Sequence, residues 1–173
     1  MTLSEIQAFI RDVPDFPKPG IVFKDITPLL ADANGFRAAI DLLADRVEPL
    51  AADGILAIES RGFIFGAALA LRAGLPLQLV RKRGKLPRKS VSMEYALEYG
   101  VDHLEMHTDA VRPGGRYLIV DDVIATGGTA EAVAKMVASQ RGEIAACVFL
   151  IELTFLNGRN RLGDREVISL ISY

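Results

Sequence analysis

The sequence predicts an α/β protein in which a mostly parallel central β-sheet is flanked by helices. Short apolar runs of strand length alternate with longer segments in which apolar residues recur at helical spacing. One of these strands leads directly into a glycine-rich turn and a helix near residue 128. Such alternation is typical of parallel strands joined by right-handed crossover helices. A chain of 173 residues is of ordinary size for one domain, so we expect residues 1–173 to form a single domain.

The amino-terminal elements are expected to be short. A first helix is favoured by Ser4 and Gln7, which have capping-box spacing, and three closely spaced prolines then impose an extended path. Residues 21–25 favour a short strand, and Thr27 with Pro28 resembles a helix N-cap followed by proline at the first helical position. A long helix follows, whose apolar face carries Phe36, Ile40, Leu43, Val47 and Leu50.

The remaining elements continue the alternation. We expect strands at residues 55–58, 75–80, 117–120, 144–151 and 167–171. The helix at 62–73 and the helix behind the glycine-rich turn are expected to end at Gly74 and Gly142, because glycine readily adopts the left-handed conformation that stops a helix. Residues 81–102 are polar, and a loop of that length inside a compact domain is commonly a functional lid.

Charge is unevenly distributed along the chain, although the formal net charge is only −2. Residues 60–93 contain no acid, and the densest basic run lies at 81–89. That run has no aromatic side chain for stacking on bases, so we expect a polyanionic small molecule as the ligand and no nucleic acid partner. The alternative is that the basic run is simply a solvated loop.

The sequence gives no sign of a membrane or secreted protein. No apolar run approaches the roughly 20 residues that span a bilayer, and the amino terminus lacks the layout of a signal peptide. The single cysteine, Cys147, lies in an apolar run and is expected to be a buried core residue. We therefore expect a cytoplasmic protein without membrane contact.

The most informative segment is LIVDDVIATGGTA at residues 118–130. An apolar strand delivers Asp121 and Asp122 at its carboxyl end, where open α/β sheets bind ligands and where two carboxylates can hold vicinal hydroxyls or a hydrated divalent cation. In the turn that follows, Gly127 and Gly128 let the backbone approach a ligand closely, and successive N–H groups at the helix start suit a phosphate. A ribose 5-phosphate satisfies both halves of the segment. The alternative is a purely structural turn in which a carboxylate caps the helix.

The segment HLEMH at residues 103–107 contains two histidines and an acid, but we do not expect it to bind a metal. Its order differs from the zinc motif H-E-x-x-H. Strand alternation would turn Leu104 and Met106 inward and the three polar residues outward.

The segment VDDVIATGGT at 120–129 resembles the type I phosphoribosyltransferases, in which an acidic pair precedes a 5′-phosphate loop. Other segments resemble the adenine-specific branch of that family, and together they cover nearly the whole chain: DFPKPGIVFKDIT at 15–27, ESRGF at 59–63, RKRGKLP at 81–87, LEYG at 97–100 and ELT at 152–154. This resemblance implies a type I phosphoribosyltransferase fold with a flexible flap at about 81–105, a base-binding arm at about 12–27 and a small hood formed by the two termini.

The resemblance also implies a reaction and its partners. Adenine and phosphoribosyl pyrophosphate would give AMP and pyrophosphate, with Mg²⁺ held mainly by the substrate, and the protein would form a homodimer in which flap cations can reach a neighbouring site. Two other functions stay open. One is transfer to another base, such as xanthine or orotate; the other is a regulator that senses phosphoribosyl pyrophosphate while binding nucleic acid.

Site residues follow from the resemblance position by position. The resemblance implies that Asp121 and Asp122 bind the ribose hydroxyls. The residues implied to bind the 5′-phosphate are Ala125, Thr126, Gly127, Gly128 and Thr129. Pyrophosphate would be bound by Arg61 and by the flap cations Arg81, Lys82 and Lys85. Adenine would meet the backbone of Val22, the side chains of Phe23 and Leu153, and Lys24, where other members carry Arg. Glu98 matches the proposed general base that accepts the adenine N9 proton.

Overall fold

The structure, a computed structural model, describes residues 1–96 and 101–173. Its helices are α1 (Leu3–Gln7), α2 (Thr27–Ala31), α3 (Ala33–Val47), α4 (Gly62–Ala73), α5 (Gly128–Ser139) and α6 (Arg159–Leu162), with short 3-10 helices at Glu48–Leu50 and Thr154–Leu156. Its strands are β1 (Arg11–Pro14), β2 (Val22–Asp25), β3 (Gly54–Ile58), β4 (Leu77–Lys82), β5 (Ser90–Ala96), β6 (Val101–His107), β7 (Arg116–Ile124), β8 (Glu143–Glu152) and β9 (Val167–Ser172).

The central sheet has seven strands in the order β5-β6-β4-β3-β7-β8-β9. The five strands from β4 to β9 in that order are parallel, whereas β6 pairs antiparallel with both β4 and β5. The predicted mostly parallel α/β sheet is thereby confirmed. Strands β1 and β2 form a separate antiparallel hairpin within the arm predicted at about 12–27.

Both faces of the central strands are buried, which is why these strands are apolar without interruption. On β3, Ile55 and Ala57 join the core beneath α3 and α4, while Leu56 and Ile58 join the core beneath α5. Cys147 lies in the second core with no exposed surface, as predicted, and burial raises the pKa of its thiol to about 12. Among the described residues, no helix is both long and apolar enough to cross a lipid bilayer.

The helix starts differ from the prediction at the amino terminus. The capping box is formed by Thr2 and Glu5: the Thr2 hydroxyl accepts from the Glu5 N–H at 3.3 Å, and the Glu5 carboxylate accepts from the Thr2 N–H at 2.7 Å. The assignment to Ser4 and Gln7 was wrong because an ionised Glu is the stronger acceptor at the same spacing. Thr27 is also not a cap, because it is already helical and its hydroxyl donates to Asp25 at 2.8 Å.

Two other helix ends were predicted to depend on glycine. Gly74 ends α4 with a left-handed φ of +66°, as predicted. Behind α5, however, the left-handed residue is Arg141, with φ of +61°, and not Gly142. Gly142 is required for packing instead, since a Cβ there would lie 2.5 Å from Val111 and 3.0 Å from Val137.

The polar segment predicted as a long loop at 81–102 is in large part a β-hairpin. Strands β5 and β6 pair antiparallel, and Arg81 and Lys82 at the end of β4 pair with β6. The loop prediction followed the polar composition of the segment, although Val91, Met93 and Tyr95 recur at every second residue, which is the spacing of a strand with one buried face. Leu104 and Met106 are fully buried, which confirms their predicted inward orientation.

Candidate active site

A cavity of about 660 Å³ lies at the carboxyl ends of β3 and β7, where parallel α/β sheets bind ligands. Its walls combine segments that are far apart in the sequence: β2, the turn from β3 into α4, the end of β4, the end of β7, and the residue after β8. The predicted site residues among its walls are Val22, Phe23, Lys24, Arg61, Lys82, Lys85, Asp121, Asp122, Ala125 and Leu153.

The acidic pair lies within β7, which continues to Ile124 beyond its predicted end. Asp122 is 5% exposed and forms an ion pair with the Arg61 Nε. The Asp121 carboxylate accepts from the Asp122 N–H at 2.9 Å. Burial, reinforced by the negative charge of Asp122, raises the pKa of Asp121 well above its ordinary value. A Cβ on Gly62 would lie 2.8 Å from the Asp121 carboxylate, so this glycine lets the start of α4 approach the pair.

The glycine-rich turn has the geometry of an anion cradle. Gly127 has φ of +80°, and α5 begins at Gly128, so the unpaired N–H groups and the positive end of a 12-residue helix point into the turn. Residues 125–129 line a small cavity of about 80 Å³. A Cβ at Gly127 would collide with the carbonyl oxygen of Gly158, so the turn also packs tightly against the chain before α6.

The basic segment at the end of β4 is gathered around one buried carboxylate, Glu59. Lys85 Nζ lies 2.7 Å from Glu59 Oε1, the Lys82 N–H donates to Oε2 at 2.9 Å, and Arg81 Nε lies 3.3 Å from Oε2. Burial alone would raise the pKa of Glu59, but the hydrogen bonds from Lys85, Lys82 and Arg81 outweigh it and lower this pKa.

Sequence reasoning assigned no role to Glu59. A signal was present, because Glu59 is the last acid before the stretch from 60 to 93 that contains none. It also follows a buried strand directly, which places it at the carboxyl end of the sheet.

An aromatic and apolar wall faces the cations. The Phe23 ring lies 5.2 Å from the guanidinium carbon of Arg61 and packs edge-on against Phe16. The Lys24 ammonium is held 2.7 Å from Asp12 and 3.8 Å from the centre of the Tyr173 ring.

A second cavity, of about 610 Å³, adjoins the first. The two share Ile21, Val22, Lys24, Ala125 and Leu153, and the second also reaches Thr126 and Thr129 in the glycine-rich turn. The apolar wall and the anion cradle therefore border neighbouring cavities with a common wall.

The flap residue predicted as general base, Glu98, lies outside the described residues. Tyr95, three residues earlier in the sequence, lines the second cavity together with Thr129 of the glycine-rich turn, and its hydroxyl donates to Asp102 at 3.3 Å. Asp102 also lies 3.3 Å from the Lys82 ammonium. Burial, with the nearby Asp102 charge, raises the pKa of Tyr95 to about 12, so the phenol stays protonated at neutral pH. Sequence reasoning did not single out Tyr95.

No group of three or more His, Cys, Asp or Glu side chains in the described ranges 1–96 and 101–173 is arranged to hold a metal by itself. The oxygen donors that face the main cavity are the carboxylates of Glu59, Asp121 and Asp122. Such a sparse oxygen set suits Mg²⁺ only when a ligand supplies most of the coordination.

Comparisons with known proteins agree with this geometry. Residues 26–168 match the family model of the phosphoribosyl transferase domain. An adenine phosphoribosyltransferase of Geobacter metallireducens is 55% identical over 171 residues, which is 99% of this chain and 100% of the relative.

Solved structures are similar over the same extent. The crystal structure of adenine phosphoribosyltransferase from Thermoanaerobacter pseudethanolicus has a TM-score of 0.97 at 54% identity, with 99% and 100% of the two chains covered. The Saccharomyces cerevisiae enzyme, in complex with an imino-altritol bisphosphate and adenine, has a TM-score of 0.93 at 37% identity, with 97% of each chain covered.

Proposed function

The chain belongs to the phosphoribosyltransferase family, in its adenine-specific branch, and from this premise we propose how the residues around the two cavities share the reaction. The reaction transfers the 5-phosphoribosyl group from phosphoribosyl pyrophosphate to adenine, giving AMP and pyrophosphate in purine salvage. The observation that carries the assignment of roles is the position of the anion cradle, the acidic pair and the cation cluster around two cavities that share wall residues.

The 5′-phosphate binds in the turn at 125–129. The turn supplies backbone N–H groups at the start of α5 and the hydroxyls of Thr126 and Thr129, all of which donate to phosphate oxygens. Asp121 and Asp122 lie on β7, separated from the turn at 125–129 by Val123 and Ile124, and accept hydrogen bonds from the ribose hydroxyls. The ribose is thereby held at two points, which fixes the anomeric carbon for attack.

Pyrophosphate leaves toward the cations. As the bond from the anomeric carbon to pyrophosphate breaks, positive charge develops on the ribose and negative charge on the leaving group. Arg61, Lys82 and Lys85 line the main cavity and neutralise the leaving group, and Arg81 joins them from the same segment. Arg61 exchanges its Asp122 partner, and Lys85 its Glu59 partner, for pyrophosphate oxygens.

Adenine binds between Phe23 and Leu153 and is read by the backbone of Val22. Phe23 and Leu153 both line the main cavity, and Val22 is half exposed toward it. We assign Lys24 a supporting part at this wall, because Asp12 and Tyr173 already hold its ammonium. Glu98 accepts the proton that leaves N9 as this nitrogen attacks the anomeric carbon.

Mg²⁺ is the proposed cofactor, bound mainly by phosphoribosyl pyrophosphate. When bound, it neutralises phosphate charge in the substrate. Asp121 and Asp122 are the residues that would hold it through ribose hydroxyls or water, and they fit because they are hard oxygen donors facing the main cavity.

We propose a homodimer that uses the outer face of α4. Ile64 and Leu71, seven residues apart, are 39% and 87% exposed on this helix, and Leu79 on β4 is 39% exposed. Exposed apolar side chains in such a group favour association. Because β4 continues into the cation segment, a partner seated here would lie beside the cavity. A cytoplasmic location remains our proposal from the sequence.

A panel of free bases tests the function. With phosphoribosyl pyrophosphate and Mg²⁺, we expect adenine to be converted to AMP, and guanine, hypoxanthine, xanthine and orotate to be used at least about 10²-fold less well in kcat/KM. Removal of Mg²⁺ with a chelator should abolish turnover, and added Mg²⁺ should restore it. Turnover of orotate or xanthine but not adenine would overturn the proposal, as would salt-sensitive nucleic acid binding without any base turnover.

A further inference from the structure

An ion pair between a buried carboxylate and a half-exposed guanidinium holds the chain segment that supports the glycine-rich turn. Glu152, the last residue of β8, is 5% exposed. The Arg159 guanidinium binds it with two parallel contacts, Nε to Oε1 at 2.5 Å and Nη2 to Oε2 at 2.7 Å. Such a two-pronged pair fixes direction as well as distance.

The guanidinium of Arg159 also forms hydrogen bonds with β9. Arg159 Nη1 donates to the Val167 carbonyl at 2.8 Å, and Nη2 contacts the Ser169 hydroxyl at 3.2 Å. Ser169 in turn donates to Glu152 Oε2 at 2.7 Å. One side chain therefore joins the start of α6 to two strands of the central sheet, β8 and β9.

The residue just before Arg159 lies directly on the glycine-rich turn. A Cβ on Gly158 would collide with the Ala125 carbonyl oxygen and would lie 3.0 Å from the Gly127 nitrogen, and a Cβ on Gly127 would collide with the Gly158 carbonyl. The backbones of the two segments are in van der Waals contact. Any shift of Gly158 must be passed to Ala125 and Gly127.

We propose that the Glu152–Arg159 pair is a positioning device for 5′-phosphate binding, which acts by pressing Gly158 against the glycine-rich turn. The pair does not face the phosphate and, being neutral overall, contributes through geometry rather than charge. This inference rests on the proposed assignment of the phosphate to residues 125–129.

Its test measures two affinities that report on different ends of the site. Ribose 5-phosphate reports on the glycine-rich turn, and pyrophosphate with Mg²⁺ reports on the cation cluster. Both are measured by calorimetry on the full chain, well below its unfolding temperature. Arg159→Met should weaken ribose 5-phosphate binding about tenfold or more, since small misplacements in such sites are costly, and should leave pyrophosphate binding within about twofold. Arg159→Lys, which keeps the charge but not the fork, should fall between.

Gly158→Ala tests the same idea without touching the ion pair. Gly158 has φ of −59° and ψ of −29°, which alanine adopts readily, so the added Cβ acts through its contacts with the turn and with the neighbouring Ile124 side chain, not through backbone strain. It should reproduce the selective loss of ribose 5-phosphate affinity, and it keeps the test valid if Arg159→Met fails to fold. Arg112→Met is the matched control, because its ion pair with Asp53 lies at the opposite end of β3 and β7.

The outcomes separate this inference from the proposed function. If the wild-type protein binds ribose 5-phosphate and Gly158→Ala binds it equally well, the positioning role is wrong while the phosphate assignment stands. An equal loss of both affinities in Arg159→Met and Gly158→Ala would also overturn it, because that pattern indicates general destabilisation. A wild-type protein that fails to bind ribose 5-phosphate would overturn the phosphate assignment and this inference together.

Discussion

Asp121 and Asp122 are neighbours in the chain but have different surroundings. Asp122 has the Arg61 guanidinium as its partner, whereas Asp121 is partly buried beside the Asp122 charge, and desolvation together with that charge raises its pKa. A carboxyl whose folded pKa lies above its unfolded value of about 3.9 stabilises the fold only below that value, and its contribution is lost as pH rises through the folded pKa. Asp121 therefore lowers the free energy of unfolding at neutral pH.

Replacing Asp121 by Asn should raise stability and lower activity. Its unfolding free energy, measured with urea, should match that of the wild-type protein near pH 4 and exceed it increasingly toward pH 8, because the wild-type carboxyl ionises there at a cost. Turnover should fall because a ribose contact is lost. Asp53→Asn, at the far end of β3, is the control; a stability difference for Asp121→Asn that is independent of pH would contradict the account.

Arg61 is expected to have two roles: it binds the leaving pyrophosphate, and it stabilises the fold by pairing with Asp122. Arg61→Ala should reduce kcat/KM about 10²-fold in both reaction directions, since pyrophosphate is a product in one and a substrate in the other. It also leaves the buried Asp122 without its partner, which should cost about 1–3 kcal/mol of unfolding free energy. Arg61→Lys should recover part of both. Unchanged pyrophosphate kinetics with reduced stability would make Arg61 purely structural.

Glu98 is the proposed general base, and the proposal is based on its position in the LEYG segment. Glu98→Gln keeps the size and removes the basic oxygen, so kcat should fall about 10²-fold or more while the KM for phosphoribosyl pyrophosphate changes little. Glu94→Gln is a matched control, because Glu94 is an exposed carboxylate on β5, four residues before Glu98 in the sequence. Equal turnover of the Glu98 variant and the wild-type protein would remove this assignment.

At the scale of elements, local chemistry was predictable and long-range contacts were not. The strand, acidic pair and glycine-rich turn at 118–130 lie next to each other in the sequence, so their geometry follows from the order of the residues. The helix at Gly62–Ala73 was predicted to its ends because its residues are apolar on every side and Gly74 follows. The β5–β6 pairing was missed because the loop prediction followed the polar composition of residues 81–102, although Val91 and Met93 alternate with polar residues on β5.

The partners of the charged site residues could not be predicted from spacing. Arg61 meets Asp122 across 61 residues, and Arg81 meets Glu59 across 22. These pairs exist because parallel strands bring their carboxyl ends to one edge, and which carboxylate each cation selects depends on the packing of the whole sheet. The contact of Gly127 with Gly158 left no sequence signal beyond the two glycines.

At the scale of the molecule, we propose one phosphoribosyltransferase domain over residues 1–173, in which two hairpins frame a rigid sheet edge. The β1–β2 hairpin supplies the adenine wall, and the β5–β6 hairpin follows the cation segment. Between them lie the carboxyl ends of β3 and β7, which border the main cavity. In this proposal β7 and the turn at 125–129 bind ribose and phosphate, the β1–β2 hairpin contacts the base, and Arg61 with the cation segment binds pyrophosphate.

The proposed dimer face can be tested by introducing one charged side chain on α4. Leu71→Glu places a carboxylate on the most exposed apolar residue of α4, and light scattering after size exclusion should shift from dimer to monomer at micromolar concentration. The wild-type fold should persist, since Leu71 is 87% exposed. Leu3→Glu on α1 is the control and should leave the dimer intact. A monomeric wild-type protein would contradict the proposal.

The account's central claim is that the two neighbouring cavities order phosphate, ribose and base along the edge of the sheet. A crystal structure of the full chain with AMP tests it directly. We predict the AMP phosphate within hydrogen-bond distance of the backbone N–H groups of residues 126–129, the ribose hydroxyls on Asp121 and Asp122, and the adenine ring between Phe23 and Leu153. An AMP phosphate bound instead by Lys82 and Lys85, with the turn at 125–129 making no contact, would contradict it.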